Sequence, residues 1–66
     1  MTLSKAQRQH RIVKLLEQHT VTSQTQLVDL LAQDGVHATQ ATVSRDLEDL
    51  GAVKVRLRGG DAAYAI

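Results

Sequence analysis

Sixty-six residues make one domain, residues 1–66, and a chain this short buries only about 60% of the surface its unfolded form exposes, which leaves no room for an enclosed active site. The absence of cysteine excludes disulfides and thiolate metal sites, and with no apolar run near the roughly 20 residues of a membrane span and no signal-peptide core, the expected setting is cytoplasmic. A formal charge of +1 is too small to announce a polyanionic partner, so the placement of the charges has to decide that question.

In chain order, Ser4 is placed to cap a first helix over residues 4–19, where Ile12, Val13, Leu15 and Leu16 form a modest apolar stripe. Lys5, Arg8, Arg11 and Lys14 recur every third residue as a broad basic side, which reads first as a solvated face and second, through Lys5 and Arg8, as a phosphate contact. Thr20-Val21-Thr22 is short and β-branched, an extended link able to add a minor strand downstream. Ser23 caps a second helix, and Gln26 three residues later matches a capping box with it. Leu27, Leu30 and Leu31 give that helix its apolar face, and Gly35 supplies the left-handed residue that ends it. After the turn Val36-His37-Ala38, Thr39 caps a third helix whose Val43, Leu47 and Leu50 point inward until Gly51 stops it.

The other side of this third helix centres on Ala41 and Arg45, flanked by Thr42 and Ser44, with Gln40 ahead of them. Short hydrogen-bonding side chains around one arginine let a helix backbone approach base edges and phosphates, where an ordinary solvated helix carries long charged residues. A guanidinium can donate two parallel bonds to guanine O6 and N7, which is worth about 1 to 3 kcal/mol of discrimination, whereas a surface pair of Arg45 with Asp49 would contribute only about 0.3 to 0.5 kcal/mol. The hydroxyls of Ser44 and Thr42 suit equally a bond to the carbonyl one turn back. Glu48 and Asp49 confine the DNA reading to the leading half. Gln24 stands at the amino end of the second helix, where free amides and the helix dipole favour a phosphate, and Ser23 there is first of all a cap.

In the tail, Val53, Val55 and Leu57 alternate with Lys54, Arg56 and Arg58, a half-buried strand with a basic outer face. Gly59-Gly60 reads as a two-residue turn that pairs Leu57 with Ala62, Val55 with Tyr64 and Val53 with Ile66, and sets Arg58 beside Asp61. Lys54 and Arg56 then face solvent opposite Ala65 and Ala63. Such charges guard an edge strand against aggregation, or, as three of one sign on one side, they call for an anion. Cations therefore gather at both ends of the chain, while between Leu15 and Leu50 Arg45 alone is set against Glu17, Asp29, Asp34, Asp46, Glu48 and Asp49. A phosphate footprint results if the fold brings the ends beside the third helix. His10, His19 and His37 make no metal pattern, and one aromatic, Tyr64, argues against stacking on single-stranded nucleic acid.

Three helices and a basic hairpin make the chain mainly α with a small β-hairpin, the winged helix-turn-helix arrangement. Its segments Ser23-Gln24, then Thr39-Gln40-Ala41-Thr42-Val43-Ser44-Arg45-Asp46-Leu47, then Leu50-Gly51-Ala52-Val53-Lys54 resemble the DNA-binding domain of bacterial arginine repressors, over nearly the whole chain. The resemblance implies a transcriptional regulator of arginine metabolism that binds palindromic double-stranded operator DNA as a hexamer, with L-arginine as corepressor. It implies also that arginine binding and hexamer contacts belong to a carboxy-terminal domain. The present chain is therefore expected to be an isolated amino-terminal domain, monomeric by itself and without a cofactor or metal of its own. Carried over by motif position, Gln40, Thr42, Ser44 and Arg45 would sit in the major groove, with Thr39 at the helix entry. Ser23 and Gln24 would approach phosphates, and the wing with Lys54, Arg56 and Arg58 would reach an adjacent groove. Two other readings are a winged-helix protein-protein module, in which Asp46, Glu48 and Asp49 face a partner, and an enzyme. For the last, no nucleophile with a base, carboxylate pair, glycine-rich phosphate loop or metal constellation is visible.

Overall fold

The computed structural model describes residues 3–66. It comprises α1 (Lys5–Gln18), α2 (Gln24–Gln33), α3 (Gln40–Asp49), β1 (Val53–Arg56) and β2 (Ala62–Ala65), the two strands forming one antiparallel hairpin. The mainly helical winged helix-turn-helix expected from the residue pattern is thus what the chain builds.

Local chemistry starts and stops each helix. At α1 the Ser4 hydroxyl accepts from the Gln7 amide at 3.1 Å and the Gln7 side chain accepts from the Ser4 amide at 3.0 Å, a complete capping box. At α2 only half of the expected box forms. Ser23 Oγ accepts from the Gln26 amide at 3.1 Å, but Gln26 Oε1 takes the Thr22 amide at 2.9 Å and its Nε2 donates to the Thr20 carbonyl at 2.8 Å. The reason is Val21, which is fully buried and draws the extended link across the helix end, within reach of that amide. α2 and α3 then stop in the same way. Gly35 and Gly51 adopt φ of +82° and +72°, and the residue after each closes back on the helix, Val36 to Leu31 O at 2.8 Å and Ala52 to Leu47 O at 2.9 Å. Only glycine adopts that left-handed geometry at little cost, which is why the helices end there.

The core is one cluster: Ile12 and Leu15 from α1, Leu27 and Leu31 from α2, Val43 and Leu47 from α3, with Val21 and Val36 from the links. Removing such a side chain from water contributes about 1.5 to 3 kcal/mol, so this cluster is the main force holding the helices together. Leu16, Leu30, Leu50 and Tyr64 lie half-buried at its margin.

The hairpin departs from expectation by one residue. Its register is Val53↔Ala65, Lys54↔Tyr64, Val55↔Ala63 and Arg56↔Ala62. The Leu57 amide bonds to Asp61 O at 2.6 Å and the Gly60 amide to Leu57 O at 3.2 Å, so the turn encloses Arg58, Gly59 and Gly60 rather than two glycines. A one-residue shift changes every cross-strand partner. Lys54 consequently faces Tyr64, its Nζ 5.2 Å from the ring centroid, and Arg58 sits in the turn with no ion pair to Asp61 among the described residues.

β2 is the inner strand. Its Tyr64 amide bonds to Val21 O at 2.9 Å, on the edge away from β1, and its Ala63 is buried. Residues 20–22 run as the extended link expected of them, with that single bond to β2, and do not add the minor strand they were able to form. β1 is left outermost with all four residues exposed, Val53 at 59% and Val55 at 41%. The expected burial of Val53, Val55 and Leu57 therefore does not occur, because β2 occupies the place against α1 that would have covered them.

Candidate nucleic-acid interface

α3 turns Val43 and Leu47 into the core, and at about 100° per residue this sends Ala41 and Arg45 to the far side. Gln40, Ala41 and Arg45 are exposed there, and Thr42 and Ser44 are half-buried beside them. Arg45 has no ion pair among the described residues. Asp49, its alternative partner four residues on, is bonded instead to Lys5 Nζ at 2.9 Å.

The amino end of α2 meets the leading half of α3 through side-chain amides. Gln24 Nε2 donates to Ser44 Oγ at 3.3 Å, and Gln40 Nε2 donates to Gln24 Oε1 at 3.4 Å. Three of the expected residues, Gln24, Gln40 and Ser44, thus come together across two helices. With Ser44 Oγ accepting from Gln24, and no bond from it to a carbonyl one turn back among the described residues, its hydroxyl proton is available outward. Thr39 is a helix cap: its Oγ1 accepts from the Thr42 amide at 3.2 Å and donates to Thr42 Oγ1 at 3.0 Å. Ser23 plays the same part for α2. The hairpin joins α3 directly through Gly51 and Ala52, and Lys54, Arg56 and Arg58 are all exposed on its outer strand and turn. Lys54 is drawn toward the Tyr64 ring, a cation–π contact that steadies its direction.

The basic side of α1 is largely spent within the fold. Arg8 donates through Nε and Nη2 to the Asp46 carboxylate, the latter at 2.9 Å to Oδ1, and Gln9 Nε2 adds a bond to Oδ1 at 3.2 Å. The Arg8 bonds hold the Asp46 carboxyl below its ordinary value against the opposing effect of burial, with help from Gln9, and the same contact raises Arg8. Arg11 pairs with Asp34 at 3.3 Å. Lys5, Arg8 and Arg11 thereby bridge α1 to α3 and α2, which corrects the reading of Arg8 as a phosphate contact.

Asp46 is corrected as well, since at 1% exposure it cannot face a partner as the protein-protein reading required. Its place explains the miss. Asp46 lies about 60° around the helix from Val43, at the border of the apolar stripe, where period alone does not say whether a neighbour covers it. The available signal was an acidic residue at such a border with no cation at i±4 on its own helix.

The three histidines are exposed, and among the described residues no group of three His, Cys, Asp or Glu side chains is arranged to hold a metal ion. No described helix is long and apolar enough to cross a membrane. A family model described as the arginine repressor DNA binding domain matches residues 3–66.

Proposed function

The chain belongs to the arginine repressor DNA-binding domain family, and from that premise we propose that it reads the sequence of double-stranded operator DNA with the leading half of α3 in the major groove. DNA binding and transcriptional repression in arginine regulation come with the family; the sequence reading and the residues that perform it are the proposal. Arg45 donates to a guanine edge, with Gln40, Thr42 and Ser44 beside it. Gln24, Ser23 and Thr39, at the amino ends of α2 and α3, approach phosphates, as do Lys54, Arg56 and Arg58 on the wing. The observation that carries this reading is an exposed Arg45 among short side chains, without an ion pair among the described residues, beside an α2 terminus hydrogen-bonded to the same face. Residues 1–66 act in it as one domain, monomeric by itself and working in the cytoplasm. L-arginine binding and hexamer formation are assigned outside these residues.

One module makes few contacts, so by itself it binds near the non-specific range, about 10⁻⁴ to 10⁻⁶ M, and gains affinity when several are joined. The test is anisotropy titration of a duplex enriched by the wild-type domain from a randomised pool, against a scrambled duplex of equal length. Arg45→Ala is expected to remove about 1 to 3 kcal/mol of the preference and to change scrambled-duplex binding little. An unaltered preference in Arg45→Ala would overturn the assignment of base reading to this residue.

A further inference from the structure

We propose that Arg8 and Gln9 of α1 are positioning residues for DNA sequence reading: by gripping buried Asp46 they fix the rotation of α3 about its own axis and so aim Arg45. The inference rests on the groove-reading function proposed for α3. Its physical basis is the difference between the forces that hold this helix. Val43 and Leu47 attach α3 to the core by burial, an interaction without direction that permits a helix to roll. The grip on Asp46 is directional. Two guanidinium nitrogens of Arg8 and the amide nitrogen of Gln9 converge on one carboxylate, and fork geometry of this kind tolerates little rotation.

Asp46 and Ser44 lie on opposite flanks of the Val43 stripe, at about −60° and +100°. The Gln24 bond holds the Ser44 flank from α2, and the Arg8 and Gln9 bonds hold the Asp46 flank from α1. Between these two restraints lies the arc that carries Ala41 and Arg45, crossed at Asp49 by the exposed Lys5 bridge. Of the pair, the α1 side is the stronger, being charged and centred on a carboxylate only 1% exposed. Arg45 directly precedes Asp46, so any roll of the carboxylate is passed to it without slack. With side-chain tips about 6 Å from the helix axis, a roll of about 10° moves a head group by about 1 Å, enough to spoil a bidentate contact.

The experiment replaces the grip by apolar groups of similar volume, Arg8→Met with Asp46→Leu, because replacing both partners of a buried pair leaves no orphaned charge and keeps the domain folded. The exposed pair is replaced in the same way, Arg11→Met with Asp34→Leu, as the control. Each protein, as the full 66-residue chain, is checked for helix content by circular dichroism. It is then titrated against the duplex enriched by the wild type and against its scramble. The expected result is a fully helical Arg8→Met/Asp46→Leu variant whose preference for the enriched duplex falls about tenfold, the worth of one well-placed base contact, with scrambled-duplex affinity unchanged. The control pair is expected to retain the wild-type preference. A helical grip variant with undiminished preference overturns the positioning role while leaving groove reading intact. Failure of the wild type to enrich any sequence overturns both. If the double variant does not fold, Gln9→Leu takes its place, with a partial loss of preference expected and an unchanged preference counting against the proposal.

Discussion

Asp46→Ala is the most telling single change for stability. Its carboxylate is 1% exposed and the Arg8 side chain that binds it 18% exposed. Removing one member of a fully buried pair costs about 3 to 5 kcal/mol, because the other charge is left unpaired. Arg8 retains some access to water and can turn its head group outward, so an expected loss of about 2 to 4 kcal/mol is appropriate here. A domain of this length has a total stability of about 3 to 10 kcal/mol, so the variant should lie close to its unfolding midpoint at room temperature or denature far below the wild type. Thermal unfolding followed by circular dichroism would register a fall on the order of 10 to 25 °C. The pH dependence adds a second, independent requirement. The folded Asp46 pKa lies below the ordinary value of 3.8, so the unfolded chain takes up the proton first and acidification favours unfolding. The stabilisation is therefore complete above about pH 5 and is lost as the pH falls through the folded pKa. Wild type and Asp46→Ala should differ most at neutral pH and converge toward pH 2. A loss under about 0.5 kcal/mol at pH 7, the size of an exposed pair, or a difference independent of pH, would refute the account of a buried grip.

Other outcomes follow from the wing and the helix ends. Arg56→Gln with Arg58→Gln should reduce the slope of log affinity against log salt by about 1.8, the value for two phosphate contacts, while leaving the preference between duplexes unchanged; titrations at several salt concentrations with an unaltered slope would remove the wing from the interface. Gly51→Ala meets no atom within 4 Å but must hold φ of +72°. It should therefore cost about 1 to 2 kcal/mol in urea denaturation through backbone strain alone, and Gly51→Asn, with a side chain that tolerates the left-handed region, should cost less.

What could be read without coordinates was whatever depends on neighbours a few residues away. Ser4, Ser23 and Thr39 each accept from the amide three positions on, and Gly35 and Gly51 close their helices within five residues. The helix starts and stops, the apolar stripes, the exposed Arg45 face and the presence of a hairpin are all local in this sense. The half-formed box at Ser23 shows the limit even there, because burial of Val21 redirected the Gln26 side chain.

The hairpin register and the fate of the α1 cations were decided only in the folded molecule. Gly59-Gly60 admits a two- or a three-residue turn. The choice fell to the inner strand, where Tyr64 is held at once by Val21 and the core margin, and this put Val53 and Val55 outside. Arg8 and Asp46 stand 38 positions apart, and no periodicity brings them together. Amphipathic spacing determines which side of a helix turns inward, since that follows from the geometry of one backbone. Which charges at the border of that side become buried depends on the neighbour laid across it, and therefore on how three helices pack at once.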